Sequence, residues 1–325
     1  MPTPLPSSTD LTICFAHVAY QMEATFARRG TNIPHFQVWS RAELAQRLPE
    51  ADVLVVSGFW QNSLLDYAPR LRFIQSIGAG TDQFDQTALR ARGIRLANAS
   101  GVNRNAVSEH AIASILALAR QLHSGRDNQR QHIWRGMISD LSKREDELGG
   151  KTLLIVGLGA IGSRLAKLAK AFDMRVIATK RHTATGPGAA DAVYTPDRLP
   201  ELLPQADFVA LTCPLTPETT NLIDADALAA MKPSAYLVNM ARGRCVDEPA
   251  LLAALQNGTI AGAAIDHFWD EPLPSDSPFW DLENLLITPH TAGETRMYEE
   301  NVVDILLENL KRLGEGQEEL RNQVV

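Results

Sequence analysis

The sequence predicts an α/β protein made of two doubly wound parallel-sheet domains, one inserted into the other. Three observations predict it. Short apolar or β-branched runs alternate with longer stretches of helical spacing throughout the chain, the pattern of parallel strands joined by crossover helices. A polar stretch at 142–150 (SKREDELGG) interrupts this alternation, which restarts with a wholly apolar strand. The last helical stretch follows the final strand, so the chain can return to the domain in which it began.

In the first third, strands are expected at 11–17 (LTICFAH), 35–39, 53–58, 72–77 and 94–98. Residues 42–48 (AELAQRL) and 62–68 (NSLLDYA) carry helical spacing. Residues 102–131 place Val107, Ala111, Ile112, Ile115, Leu116, Leu118 and Ala119 on a broad apolar stripe, which predicts one long helix crossing between the domains. Residues 151–159 (KTLLIVGLG) read as a buried strand. Residues 161–174 read as a helix with Ile161, Leu165, Leu168 and Phe172 on one face. Strands follow at 175–179, 207–214, 235–241, 261–269 and 284–290, then a helix at 295–313. The expected domains are 1–101 with 292–325, and 102–291, with a cleft between them.

Composition narrows the function. The 325 residues are 45% hydrophobic and carry a net charge of -7 with no Lys/Arg block, which argues against a nucleic-acid partner. No apolar run has the length of a membrane span. The opening MPTPLPSSTD lacks a basic region and an apolar core, so it reads as a short flexible tail rather than a signal peptide. Cys14, Cys213 and Cys245 are scattered and odd in number, which fits buried thiols in a reducing, cytoplasmic setting. No His/Cys cluster has zinc-ligand spacing, and no metal is expected.

Gly157-Leu158-Gly159-Ala160-Ile161-Gly162 follows the buried strand and opens the next helix. In a dinucleotide-binding turn the first glycine makes the bend, the second lets backbone approach a pyrophosphate, and the third packs helix on strand. The phosphates then meet free amides at a helix N-terminus. The plainer alternative is a glycine-rich turn in an ordinary βα unit. After the following strand, NAD sites present an acidic residue to the ribose; here Lys180 and Arg181 stand in its place. Two cations suit a 2′-phosphate, so NADP(H) is favoured over NAD(H), the alternative being a solvated strand end.

Three further groups fall at or just beyond strand ends: Arg242 after 235–241, Glu271 after 261–269, and His290 closing 284–290. Reducing a 2-oxo acid puts hydride on C2 and charge on its oxygen. His290 suits the proton donor, Glu271 would hold the ring and stabilise imidazolium, and Arg242 can grip a carboxylate and polarise a carbonyl. Trp60 could line a pocket or pack; His110 reads as a satisfied semi-buried histidine, and His267 as structural or cofactor-proximal rather than catalytic.

The segments 76–85 (SIGAGTDQFD), 98–113, 156–172, 211–223 (LTCPLTPETTNLI), 237–273 and 285–293 (LLITPHTAG) together resemble the D-isomer-specific 2-hydroxyacid dehydrogenases, including glyoxylate/hydroxypyruvate reductases, over nearly the whole length. The resemblance implies a Rossmann cofactor domain inserted into a flavodoxin-like substrate domain. It implies a substrate carboxylate held near Ala79 and Gly80 together with Arg242 and His290. It implies cofactor contacts at Val107, Cys213, Pro214, Thr219, Met240, Ala241, Arg242, Asp266, His290 and Gly293 besides the glycine turn, Lys180 and Arg181, with Asp266 near the carboxamide. It also implies a homodimer formed through the cofactor domain, with the long helix and the segment near Trp134 in the contact. The expected activity is NAD(P)H-dependent reduction of a glyoxylate- or hydroxypyruvate-like acid to the D-2-hydroxy acid. The alternative is a nucleotide-sensing, corepressor-like binding protein on the same scaffold. Departures from the family pattern fall at Lys180, at Asp173 where glycine is common, and at His267 and Trp269.

Overall fold

The computed structural model describes residues 10–325, so the expected N-terminal tail lies outside the described residues. The chain forms two compact units, one of residues up to Asn103 together with Thr295–Val325, the other Arg104–Glu294.

The first unit carries strands β1 (Ile13–Ala16), β2 (His35–Val38), β3 (Val53–Val56), β4 (Phe73–Ser76) and β5 (Arg95–Ala97), with helices α1 (Met22–Ala27), α2 (Arg41–Arg47) and α3 (Gln86–Ala91) between them. They pair in parallel in the order β2-β1-β3-β4-β5, the doubly wound order 2-1-3-4-5 of flavodoxin-like folds. Alternation along the strands serves two cores. Ile13, Phe15, Val53, Val55 and Phe73 face one cluster, while Cys14, Ala16, Leu54, Val56 and Ile74 face the other with Leu44 and Leu89.

The second unit opens with α4 (Arg104–Ala119) and α5 (Leu122–Arg130). Then come β6 (Thr152–Val156), α6 (Ala160–Lys170), β7 (Arg175–Thr179), β8 (Ala192–Tyr194), α7 (Leu199–Leu202), β9 (Phe208–Leu211), α8 (Ala225–Ala230), β10 (Tyr236–Asn239), α9 (Glu248–Gln256), β11 (Gly262–Ile265) and β12 (Leu285–Ile287). The sheet is parallel, ordered β12-β11-β10-β9-β6-β7-β8. Strand order reverses between β6 and β9, the switch point at which open α/β sheets place their ligands. All five residues of β6 are buried, as a strand covered on both faces requires.

The last helix, α10 (Tyr298–Gly314), belongs to the first unit. Its Val302, Val303, Leu306 and Leu310 join the cluster containing Phe15, Met22 and Phe26, each burial contributing roughly 1.5–3 kcal/mol. Fully buried Asn309 on this helix donates to Gln75 Oε1 at 3.0 Å and accepts the Arg321 N–H at 2.8 Å, tying the helix to β4 and to the C-terminal segment.

The structure corrects four expectations. Residues 62–68 form a 3-10 turn (Asn62–Tyr67), because only Leu64 and Leu65 are buried and no longer apolar stripe supports an α-helix. The long helix is two helices, broken where Gln121 takes a left-handed φ of 49°, and α4 lies inside the second unit rather than crossing between units. Phe172 falls beyond the end of α6 and is exposed; the face that packs is Gly162, Leu165, Ala166 and Ala169. Strand β8 went unread because it is three half-buried residues without a full apolar run. Among the described residues, no helix is long and apolar enough to cross a membrane.

Candidate active site

Every strand of the second unit runs the same way, so the residues that follow each strand gather along one edge of the sheet. Gly157 follows β6, Lys180 follows β7, Cys213 and Pro214 come shortly after β9, Arg242 after β10, Asp266 to Glu271 after β11, and His290 after β12.

The three glycines of the turn have separable duties. Gly157 has φ +102°, and a Cβ there would lie 2.7 Å from the Cys213 backbone. A Cβ on Gly162 would lie 2.5 Å from Gly157 O, so helix α6 packs against the turn only without one. A Cβ on Gly159 would meet nothing within 4 Å; its smallness serves no internal packing and leaves room for an incoming group. Gly159 is also the N-cap of α6 and offers no side chain to the first-turn amides, which leaves them free for an anion. Beside this turn lies a pocket of about 590 Å³, lined among others by Gly157, Gly159, Lys180, Arg181, Pro214 and Thr219. The donor set fits a dinucleotide: free amides for phosphate, apolar walls from Leu158, Leu199 and Leu222, and the cations Lys180 and Arg181.

Lys180 donates to Thr185 Oγ1 at 2.5 Å, while no hydrogen bond or ion pair among the described residues engages the Arg181 guanidinium. Glu218 brings a carboxylate to the same lining. Its pKa is held down first by the Thr216 hydroxyl, and also by the charge of Arg181. Thr219 spends its hydroxyl inside the turn, accepting the Thr216 N–H and donating to Pro214 O, both at 2.7 Å. Further lining residues, among them Thr179, His182, Pro196, Thr212 and Thr216, were not among the expected site residues; of these His182, next to the Lys-Arg pair, carried a legible signal.

At the other end of the same edge, His290 Nδ1 donates to Glu271 Oε2 at 2.6 Å. Glu271 Oε1 accepts the Phe268 N–H at 3.1 Å, which fixes the carboxylate. His290 is exposed, so its Nε2 is available. Its backbone takes a φ of +54°, uncommon for a side-chain-bearing residue. The conformation is held by His290 N–H bonds to Asp266 O and Thr288 O, each 3.0 Å. Arg242 is half-buried, with one guanidinium nitrogen donating to Ala241 O at 2.7 Å. The Arg242-Gly243 turn presses on the segment after β11, since a Cβ on Gly243 would lie 2.2 Å from the Phe268 carbonyl.

Asp266, which the resemblance implies as a cofactor contact, has its carboxylate fully buried in the chain. It accepts the Thr288 hydroxyl at 2.6 Å, the Thr291 N–H at 2.9 Å and the Ala292 N–H at 3.1 Å. His110 Nε2 lies 3.1 Å from the same Thr288 oxygen, whose proton already goes to Asp266, so His110 carries its proton on Nε2. His267, also buried, sits edge-on to His290 with ring centroids 4.0 Å apart. Burial first, then the charges of His290 and Arg242, push its pKa down to about 3, so the ring is neutral.

The remaining expected residues sort by place. Ala160, Ile161, Val107, Met240, Ala241, Arg242, Asp266, His290 and Gly293 do not line the pocket beside the glycine turn, whereas Cys213 does. Ala79 and Gly80 sit in the first unit, in the loop after β4, where Asn98 Nδ2 donates to Ala79 O at 2.9 Å. Trp60 packs in that unit's core against Phe84 and donates to Asn62 Oδ1 at 2.9 Å, so it is a packing residue. Trp269 is tied by its indole N–H to Val246 O at 2.9 Å, and Asp173 adopts a φ of 57° that explains why glycine is common there.

Residues 112–292 match the family model for the D-isomer specific 2-hydroxyacid dehydrogenase, NAD binding domain. The glyoxylate reductase of Pyrococcus furiosus is 36% identical over 283 residues, 85% of this chain and 83% of that protein. The D-3-phosphoglycerate dehydrogenase of Mycobacterium leprae is 38% identical over 257 residues, 78% of this chain and 48% of that protein, so the chain spans about half the length of that relative. Among solved structures, a D-isomer specific 2-hydroxyacid dehydrogenase family protein from Aeromonas salmonicida superimposes with a TM-score of 0.84 at 31% identity, covering 97% of this chain and 99% of that one. With two parallel α/β units, a glycine turn opening α6 and this sequence likeness, the chain belongs to the D-isomer specific 2-hydroxyacid dehydrogenase family.

Proposed function

We propose that the protein reduces a small 2-oxo acid to the D-2-hydroxy acid, with NADP(H) as the preferred cofactor and a glyoxylate- or hydroxypyruvate-like substrate. The observation that carries this is the 2.6 Å His290–Glu271 pair, set on the same sheet edge as Arg242 and the glycine turn. When bound, the reduced nicotinamide supplies the hydride that C2 receives. His290 delivers the proton that the C2 oxygen gains, through Nε2, because Nδ1 is committed to Glu271. Glu271 stabilises the imidazolium before the transfer and keeps the ring oriented afterwards. Arg242 holds the substrate carboxylate and draws charge toward the carbonyl oxygen.

With glyoxylate, hydroxypyruvate, pyruvate and 3-phosphohydroxypyruvate as a panel, NADPH-dependent turnover is expected on at least one of the first two. His290→Gln should lower kcat by about 10²–10⁴-fold on that substrate. Binding of NADPH with no turnover on any acid would instead support a nucleotide-sensing protein.

The cofactor preference rests on Lys180 and Arg181 at the pocket, where a 2′-phosphate would replace Thr185 as the partner of Lys180 and pair with Arg181. Lys180→Asp combined with Arg181→Ala should move the NADPH/NADH ratio of kcat/KM toward NADH by about tenfold or more, one such step corresponding to ~1.4 kcal/mol. An unchanged ratio would show that these residues do not meet the phosphate.

We also propose that the active form is a homodimer built on the cofactor-binding unit. Trp134 and Met137 stand 99% and 101% exposed in one segment, beside Ile133 and Leu141; isolated monomers rarely leave such apolar runs in water. The occupant that fits is a second copy, a reading supported by the dimer contact that the family resemblance implies for this segment. Sedimentation velocity should show a dimer that Trp134→Glu with Met137→Glu converts to monomer; a wild-type monomer would refute the assembly.

A further inference from the structure

His267 lies between two carboxylates. Its Nε2 is 3.5 Å from Asp266 Oδ2 and its Nδ1 is 3.6 Å from Glu271 Oε1. The side chain is 6% exposed, and Nδ1 is buried without a hydrogen-bond partner. A neutral imidazole has one N–H to give, and an ionised carboxylate can only accept. The buried Asp266 takes the side facing Nε2, so the Nδ1 lone pair is left pointing at an oxygen that also carries lone pairs. With the ring proton on Nε2, two acceptors face one another across 3.6 Å, and a cation between them satisfies both. Edge-on contact with His290 brings a second imidazole to the same spot. One ligand atom each from His267, Glu271 and His290 lies within 4.8 Å of the others.

We infer that His267, Glu271 and His290 form a binding site for a divalent transition-metal ion of the zinc type, and that occupation of this site disables the acid–base pair. Two imidazole nitrogens and one carboxylate suit zinc, whereas magnesium and calcium prefer all-oxygen sets. Zinc bonds of ~2.0–2.2 Å in a tetrahedron put ligand atoms roughly 3.4 Å apart. His290 Nδ1 and Glu271 Oε2, 2.6 Å apart, must therefore open to admit the ion, whereas His267 Nδ1 and Glu271 Oε1, 3.6 Å apart, are already near that spacing, and the exposed His290 can move while His267 stays packed. Asp266 behind Nε2 is the carboxylate that commonly orients a metal-bound histidine from its far side. The nearby Arg242 charge works against any cation and keeps affinity moderate. An ion on His290 Nδ1 takes the place of the proton shared with Glu271, so the ring loses its acidic partner. Local spacing could not reveal this group, because it needs residue 290 brought to residues 267 and 271 by adjacent strands.

The binding arm of the test does not depend on the proposed reaction. Untagged full-length protein would be titrated with Co²⁺, followed by its visible absorption, and with Zn²⁺ by calorimetry. One ion per chain is expected, with the intense bands of four-coordinate cobalt. His267→Val should weaken zinc by about tenfold or more, as should Glu271→Gln, an exposed change that leaves the core untouched. In the activity arm, zinc should inhibit wild-type turnover, EDTA should restore it, and His267→Val should raise the half-inhibiting zinc concentration by a similar factor. Zinc binding by a wild type without turnover would keep the site while removing the proposed reaction. Absence of one-to-one binding, or affinity undiminished in His267→Val, would overturn the site.

Discussion

The candidate active site hangs on one buried carboxylate. Asp266 sits at the end of β11 and gathers three donors from the loop that follows β12, while its backbone oxygen holds the His290 amide. The bonds reach across neighbouring parallel strands, so the position of His290 is set by the sheet rather than by its own loop. A buried donor left unpaired costs about 1–3 kcal/mol, and the Ala292 N–H is such a donor. That is comparable with the roughly 1–3 kcal/mol that a single left-handed residue such as His290 costs, and the part-buried Thr288 and Thr291 donors add to it.

The same sheet edge sorts two kinds of chemistry. Near the β6/β9 switch point the protein offers backbone amides, glycine clearance and cations, which suit phosphate. Toward β10 and β12 it offers a guanidinium and a carboxylate-backed imidazole, which suit a carboxylate and a proton. Parallel strands make this division possible, since every carboxyl end points the same way and each contributes one short, exposed segment.

Much of this was legible in the sequence, for physical reasons. Buried parallel strands such as β6 need unbroken apolar runs, and a glycine turn must sit at a fixed offset after one. The members of the His290–Glu271 pair were legible by residue type and by position after strands. What the sequence hid depends on distance across the sheet. Asp266 lies next to the acid–base groups in the chain, and only the Thr288, Thr291 and Ala292 partners reveal that it supports the loop from inside. His267 likewise reads as a structural or cofactor-proximal histidine until its two carboxylate neighbours are placed. The break at Gln121 was hidden because apolar periodicity fades gradually while a left-handed residue ends a helix abruptly.

Asp266 holds the loop that carries His290. Steady-state kinetics of Asp266→Asn, with the 2-oxo acid and the nicotinamide cofactor varied separately, test it most directly. The account predicts a kcat lowered on the order of 10²-fold by displacement of the proton donor, with little change in cofactor KM. A raised cofactor KM with kcat preserved would contradict it.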